Sequence, residues 1–223
     1  MKRTLAAFLA LGLIATTANL AQAHELDHSD NDSTIKLVEP QIDESATLRQ
    51  ALQNRKSVRK FANRPIEAQD LSNLLWAAAG INRDNGGRTV PLLGDIAIYV
   101  AMEQGTYHYQ AEEHQLQQVL SEDIRGRLSA QKVVGTAPVV FIMTIDDASF
   151  SDGMKRAMEK AHGMDFYYGN QVAFSTQNIY LYAGTNDMNA VVIGGVHRDK
   201  IDQMLKLKDG HHAYLVQLVG YKK

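Results

Sequence analysis

Among its 223 residues the sequence has no cysteine. Disulfides, zinc–thiolate sites, iron–sulfur clusters and cysteine nucleophiles are thereby excluded, and the chain is long enough to close a core without such staples. Long apolar runs are also lacking. The run from Leu5 to Ile14 is too short to cross about 30 Å of hydrocarbon, and no later stretch approaches about 20 uninterrupted apolar residues, so no membrane span is expected. Charge of one sign is absent too: 23 Lys and Arg face 25 Asp and Glu, for a net charge of −2. Nothing resembles the basic stripe of a nucleic-acid binder. There is no G-x-G-x-x-G after a strand and no Walker-type G-x-x-x-x-G-K, which argues against a Rossmann dehydrogenase or a P-loop enzyme. No G-x-S-x-G elbow marks a serine hydrolase.

What is present is ordinary for a folded domain: 45% hydrophobic and 22% charged residues. Residues 1–23 carry the three parts of a secretory signal. Lys2 and Arg3 precede the apolar run, and Ala21-Gln22-Ala23 supplies a small-x-small cleavage site. Cleavage after Ala23 predicts a periplasmic or secreted protein, with 21 basic against 25 acidic residues. Residues 24–45 are polar and acidic, and read as a flexible segment that either hangs free or wraps the body. Residues 46–223 read as a single domain.

Within that body, Leu48, Ala51 and Leu52 have helical spacing, with Ser45 as a candidate cap. Pro65-Ile66-Glu67 leads into a second helix through Leu71, Leu74, Leu75 and Ala78, closed by Gly80. Ile96, Ile98 and Val100 alternate and, with Thr106–Tyr109, predict a strand pair. Residues 111–132 read as a polar amphipathic helix interrupted at Gly126. Val139–Ile145 is a strand buried on both faces. A long helix over 152–185 breaks near Gly163 or Gly169, and a strand, a helix at Arg198–Leu205 and a last strand follow. The order predicts an α+β domain with one mixed central sheet flanked by helices.

Several groupings carry chemistry. His24-Glu25-Leu26-Asp27-His28 matches the H-E-x-x-H of zinc peptidases, but it lies in the acidic segment, where solvation or adventitious metal binding competes with a peptidase site. No metal is expected. In Arg55-Lys56-Ser57-Val58-Arg59, residues i, i+2 and i+4 of an extended backbone share one side. Two guanidinium groups and a hydroxyl would then suit a phosphate dianion. The aromatics Phe166, Tyr167, Tyr168, Phe174, Tyr180 and Tyr182 read as core or as the lining of a flat-ring pocket. The histidines from His108 onward have no spacing that dictates a metal or a triad.

Taken in order, these pieces resemble the flavin-dependent nitroreductase family, particularly its small SagB/ThcOx-like members. The resemblance rests on Arg55-x-Ser57-x-Arg59; Leu71-Ser-Asn-Leu-Leu-Trp-Ala-Ala-Ala-Gly-Ile-Asn-Arg83; Arg88-Thr-Val-Pro91; Ala137-Pro138 and its strand; Thr176-Gln-Asn-Ile-Tyr-Leu181; Val191-Val-Ile-Gly194; and Val219-Gly-Tyr-Lys-Lys223. It implies the nitroreductase fold, an intertwined homodimer and non-covalent FMN between the subunits. By that resemblance Arg55, Ser57 and Arg59 hold the FMN phosphate, joined by Lys222 or Lys223. Pro91 and Asp95 approach the ring from the other subunit, and Gly194 and Gly195 lie close to it.

The implied activity is that of an exported FMN-dependent oxidoreductase moving two electrons between a donor, NAD(P)H or another, and a small organic acceptor. No acid–base side chain is required, so no catalytic residue is named. The sequence departs from the family where Leu92 and Leu93 stand in place of one or two serines and where Ile193 or Gly194 stands in place of a polar or charged residue. Those departures motivate an alternative, a flavin-binding or interaction protein without turnover.

Overall fold

The computed structural model describes residues 33–90 and 95–223. The signal segment, the His24–His28 motif and Pro91–Gly94 lie outside the described residues. In chain order the elements are β1 (Thr34–Lys36), α1 (Leu48–Asn54), α2 (Ala68–Ala79), β2 (Asp95–Met102), β3 (Gly105–Gln110), β4 (Gln115–Leu120) and β5 (Val139–Asp146). Then come α3 (Asp152–Ala161), α4 (Met164–Thr185), β6 (Met188–Ile193), α5 (Arg198–Leu205) and β7 (His211–Tyr221). The strands form one sheet in the order β1-β4-β3-β2-β5-β7-β6. Among the described residues no helix is long and apolar enough to cross a membrane.

β5 explains the architecture. Its apolar run is buried from Val139 to Ile145 because both of its faces are covered. Val139, Phe141 and Met143 join a core with α2 and α4, while Val140 and Ile142 join a second core with α5. Thr144 is the polar member of the run. It donates to Ala97 O at 2.9 Å and contacts His211 Nε2 at 2.6 Å, so its hydroxyl is satisfied inside. The break predicted in the long helix falls at Gly163, where φ is +81°, and α4 runs through Gly169.

Three expectations need correction. The sheet is not mixed: every pairing between its strands is antiparallel, and the parallel pairing is reduced to the single bridge Ser57–Ala190. Residues 111–132 do not form an α-helix; they hold a strand and a short 3-10 turn at Arg125–Arg127. His114 adopts φ +49° and turns the chain into β4, which extends the β2–β3 hairpin by one strand and buries Leu116. The cap of α1 is Thr47, whose hydroxyl accepts from Gln50 N, whereas Ser45 bonds to Asp43 in the preceding turn.

Of the two alternatives for the acidic segment, the structure takes the wrapping one along residues 34–41. β1 pairs with β4, Ile35 and Leu37 are buried, Gln69 Nε2 donates to Glu39 O, and Asn73 exchanges two hydrogen bonds with Gln41. The segment wraps the body because α2 offers it polar side chains.

One knot in this strap has a pH signature. Ser72 Oγ donates to Val38 O at 2.5 Å, so it accepts from His114 Nε2 at 2.7 Å, and His114 Nδ1 in turn accepts from the Tyr109 hydroxyl at 2.9 Å. Only the neutral ring satisfies all three. Burial lowers the pKa of His114, and it also lowers His108 and His211, with mutual repulsion adding at His108. The unfolded chain then binds more protons than the folded one below the ordinary histidine pKa of about 6.5. Stability is expected to be complete above that pH and to fall as pH drops below it. Thermal melts between pH 7.5 and 5 check this, and His114→Gln should make the acid-side decline shallower; an unchanged decline would remove His114 from the account.

Candidate functional site

The motif Arg55-x-Ser57-x-Arg59 begins where α1 ends. Arg55 caps that helix, its N–H bonding to Ala51 O, and the chain then lies along β6: Val58 N donates to Ala190 O at 2.9 Å and Asn189 Nδ2 to Lys60 O at 2.8 Å. α1 can sit this close to α4 because residue 184 is glycine. A Cβ there would come within 2.8 Å of Ala51 O and 3.3 Å of Arg55 N. Gly220 plays the same part nearby, since a Cβ would meet Pro138 and Phe61 at 2.8 and 2.9 Å. Both glycines answer to close approach rather than to backbone torsion.

Between α1, α4 and the start of β6 lies a polar cavity of about 170 Å³, whose cationic lining is Arg55, Lys56 and Lys222. At about 30 Å³ per water it has room for a phosphoryl group and a few waters. Tyr180 of α4 forms a wall. The Arg55 guanidinium carbon lies 5.0 Å from the centre of the Tyr180 ring, and the Tyr180 hydroxyl is 2.9 Å from Ser57 Oγ and accepts from Val192 N at 2.8 Å. Lys222 is steadied by its N–H to Asp187 O and by a 3.4 Å ion pair with Asp187. Three cations around a small polar hollow suit an anion with several acceptor oxygens.

The other end of β6 has a different character. Gly194 and Gly195 are exposed, and among the described residues a Cβ on Gly194 would meet nothing within 4 Å. The turn is held from behind by Ser129 Oγ donating to Gly195 O and by His197 N donating to Leu128 O. Four residue steps along the strand carry the chain from Ala190 to Gly194, or about 13 Å.

The residues singled out in the sequence are thus only partly gathered. Arg55, Ser57 and Lys222 meet at or beside the cavity, whereas Arg59 and Lys223 are exposed and outside its lining. Gly194 and Gly195 lie just past the far end of β6. Asp95 opens β2 opposite Asp146, itself paired with His211, so within one chain it belongs to the far end of the sheet from Lys222. Ile193 is 2% exposed and packs into the core shared with α5, so its apolar character serves packing rather than a ligand.

The aromatic stretch divides. Tyr168, Tyr180 and Tyr182 are buried, and Phe166 and Phe174 are exposed. Two site residues escaped the sequence reading. Strict alternation put Lys56 on the wrong side, because the helix end at Arg55 breaks the extended geometry that alternation assumes. Tyr180 was one aromatic among many, and no local signal sets it apart.

The model of the nitroreductase family matches residues 52–221. A candidate nitroreductase of Methanocaldococcus jannaschii is 29% identical over 203 residues, covering 85% of this chain and 98% of its own. A crystal structure of a candidate nitroreductase from Ralstonia eutropha superposes with a TM-score of 0.74 at 28% identity, covering 89% of this chain and 93% of that one. The NADPH:FMN oxidoreductase of Vibrio harveyi, solved with NAD+, shares the fold at a TM-score of 0.54 and 15% identity, covering 79% of this chain and 69% of that one.

Proposed function

Since the chain belongs to the nitroreductase family of oxidoreductases, we propose that it is an FMN-dependent enzyme that carries two electrons from a donor to a small organic acceptor. The observation that carries this reading is the asymmetry along β6: three cations around a polar hollow at one end, and the unobstructed Gly194 about 13 Å away at the other. A ligand with a phosphate tail and a flat ring fits that layout. FMN, when bound, supplies the redox chemistry. Arg55, Lys56 and Lys222 would neutralise the phosphate, Ser57 would donate to it, and the bare main chain at Gly194 would let the ring lie against the strand.

The same reading makes the protein a homodimer with the ring enclosed between two copies. In support, α1 exposes Leu48 and Leu52 at 66% and 57%, and α4, which packs against it, exposes Phe166 and Phe174 at 53% and 47%. An isolated chain would leave that apolar surface in water. Pro91 and Asp95 would then approach the ring from the partner copy. Export through the signal segment completes the proposal. Because NAD(P)H is scarce outside the cytoplasm, the donor there would be another small reductant or a protein.

Purified protein is expected to be yellow, with a chromophore that co-migrates with FMN once released. A colourless protein that FMN does not reconstitute overturns the reading. Light scattering should give a dimer, and Leu52→Asp with Phe174→Asp should give a flavin-free monomer. A stable wild-type monomer with full flavin content refutes the shared site.

A further inference from the structure

The Tyr180 hydroxyl sits between two partners, and their chemistry fixes the direction of its proton. Val192 N–H can only donate, and it does so into Tyr180 Oη at 2.8 Å. Ser57 Oγ, 2.9 Å away, could in principle donate as well. Were it to do so, the tyrosine proton would have no acceptor among the described residues, in a side chain only 8% exposed. Leaving a buried donor unpaired costs about 1–3 kcal/mol, so the opposite order prevails. Val192 donates to Tyr180, Tyr180 donates to Ser57, and the Ser57 proton is left facing solvent. Each bond in such a chain polarises the next.

We infer that Tyr180 is a positioning residue of the anion site: by donating to Ser57 it leaves that serine's own proton free for the anion, while its ring holds the Arg55 guanidinium over the same cavity. A serine free to rotate presents either a proton or a lone pair to an incoming anion. A serine that accepts from Tyr180, instead of donating to it, keeps its one proton for the anion. The Arg55 guanidinium carbon, 5.0 Å from the ring centre, is within cation–π range, so one side chain of α4 orders two ligand groups that come from the loop after α1. The relay also begins on β6, two residues before Gly194, which places the strand amide and the phosphate donor on one continuous hydrogen-bonded path.

The identity of the anion as the FMN phosphate rests on the function proposed above, and the experiment separates the two. Full-length wild type, Tyr180→Phe, Ser57→Ala and the double variant are titrated with FMN and with riboflavin, which lacks the phosphate, by flavin fluorescence. Phenylalanine keeps the ring and so keeps the Arg55 stack. Tyr180→Phe is expected to weaken FMN about tenfold and to leave riboflavin within about twofold, since what is lost is one oriented hydrogen bond to a charged group. The double variant should lose no more than Ser57→Ala alone, because both changes cut the same path.

Equal losses for FMN and riboflavin would reveal a merely structural tyrosine. Additive losses, or an unchanged FMN affinity, would likewise overturn the relay. If wild type binds neither flavin, the cofactor reading fails, and the relay is judged by calorimetry with inorganic phosphate: weaker binding in Tyr180→Phe upholds it, and no binding by wild type ends it. Should Tyr180→Phe not fold, Ser57→Ala must selectively weaken FMN and Ser57→Thr must restore it, or the proposal falls.

Discussion

Alanine at both Arg55 and Lys222 is expected to lower FMN affinity by roughly 10²–10⁴-fold, enough for the protein to lose its colour on a column. Each removes a charge-assisted hydrogen bond worth about 1.5–3 kcal/mol, and each loss of about 1.4 kcal/mol is a factor of ten. The pair is chosen because both line the cavity, whereas Arg59, the other arginine of the motif, lies outside the lining. Equilibrium titration followed by flavin fluorescence measures the loss, and the wild-type affinity should itself decline with added salt. Retained affinity in the double variant would place the phosphate elsewhere on the molecule.

Asp70→Ala is expected to destabilise the fold by about 3–5 kcal/mol, the value of two hydrogen bonds to a charged acceptor. Asp70 Oδ1 accepts from the Tyr182 hydroxyl at 2.7 Å and Oδ2 from the Tyr221 hydroxyl at 2.6 Å. Both tyrosines are buried, and both hydroxyls are held well above the ordinary tyrosine pKa, by burial first and by the carboxylate second. The hub also reaches outward. Asn73 Nδ2 donates to Tyr182 Oη and to Gln41 O, Glu67 N donates to Tyr221 Oη, and the Arg64 guanidinium carbon is 3.4 Å from the Tyr221 ring centre. A single carboxylate thus joins α2, α4, the end of β7 and the N-terminal strap. Asp70→Asn keeps one acceptor and should lose about half as much. Urea unfolding with an unchanged slope would read these losses directly; a change below about 1 kcal/mol would mean that water replaces the carboxylate.

Legibility in the sequence followed the range of the interactions. α2 is readable because its apolar spacing and its terminal Gly80 lie within one short window. β5 is readable because burial on both faces leaves an unbroken run. The break at Gly163 is readable because glycine tolerates the positive φ found there. β4 was missed because its mix of three glutamines with three apolar residues carries no clear period, and β1 because it is three residues long and its partner is distant: Thr34 pairs with Gln117.

The site divides along the same line. Arg55 and Ser57 could be named from local spacing and from resemblance. The ordering of Ser57 by Tyr180 could not, because it needs residues 57, 180 and 192 in one place, and their meeting is a product of the completed sheet.

β6 is one margin of the seven-stranded sheet, and bare margins invite other chains to add strands. Here the outward-facing groups of Ala190 and Val192 are already occupied, by Val58 N–H and by the Tyr180 hydroxyl. The segment that would grip the phosphate is therefore also the sheet's guard rail. Anything that loosens it, loss of ligand included, uncovers a sticky backbone edge. Shelf life and resistance to clumping in this protein should then track how fully it is loaded.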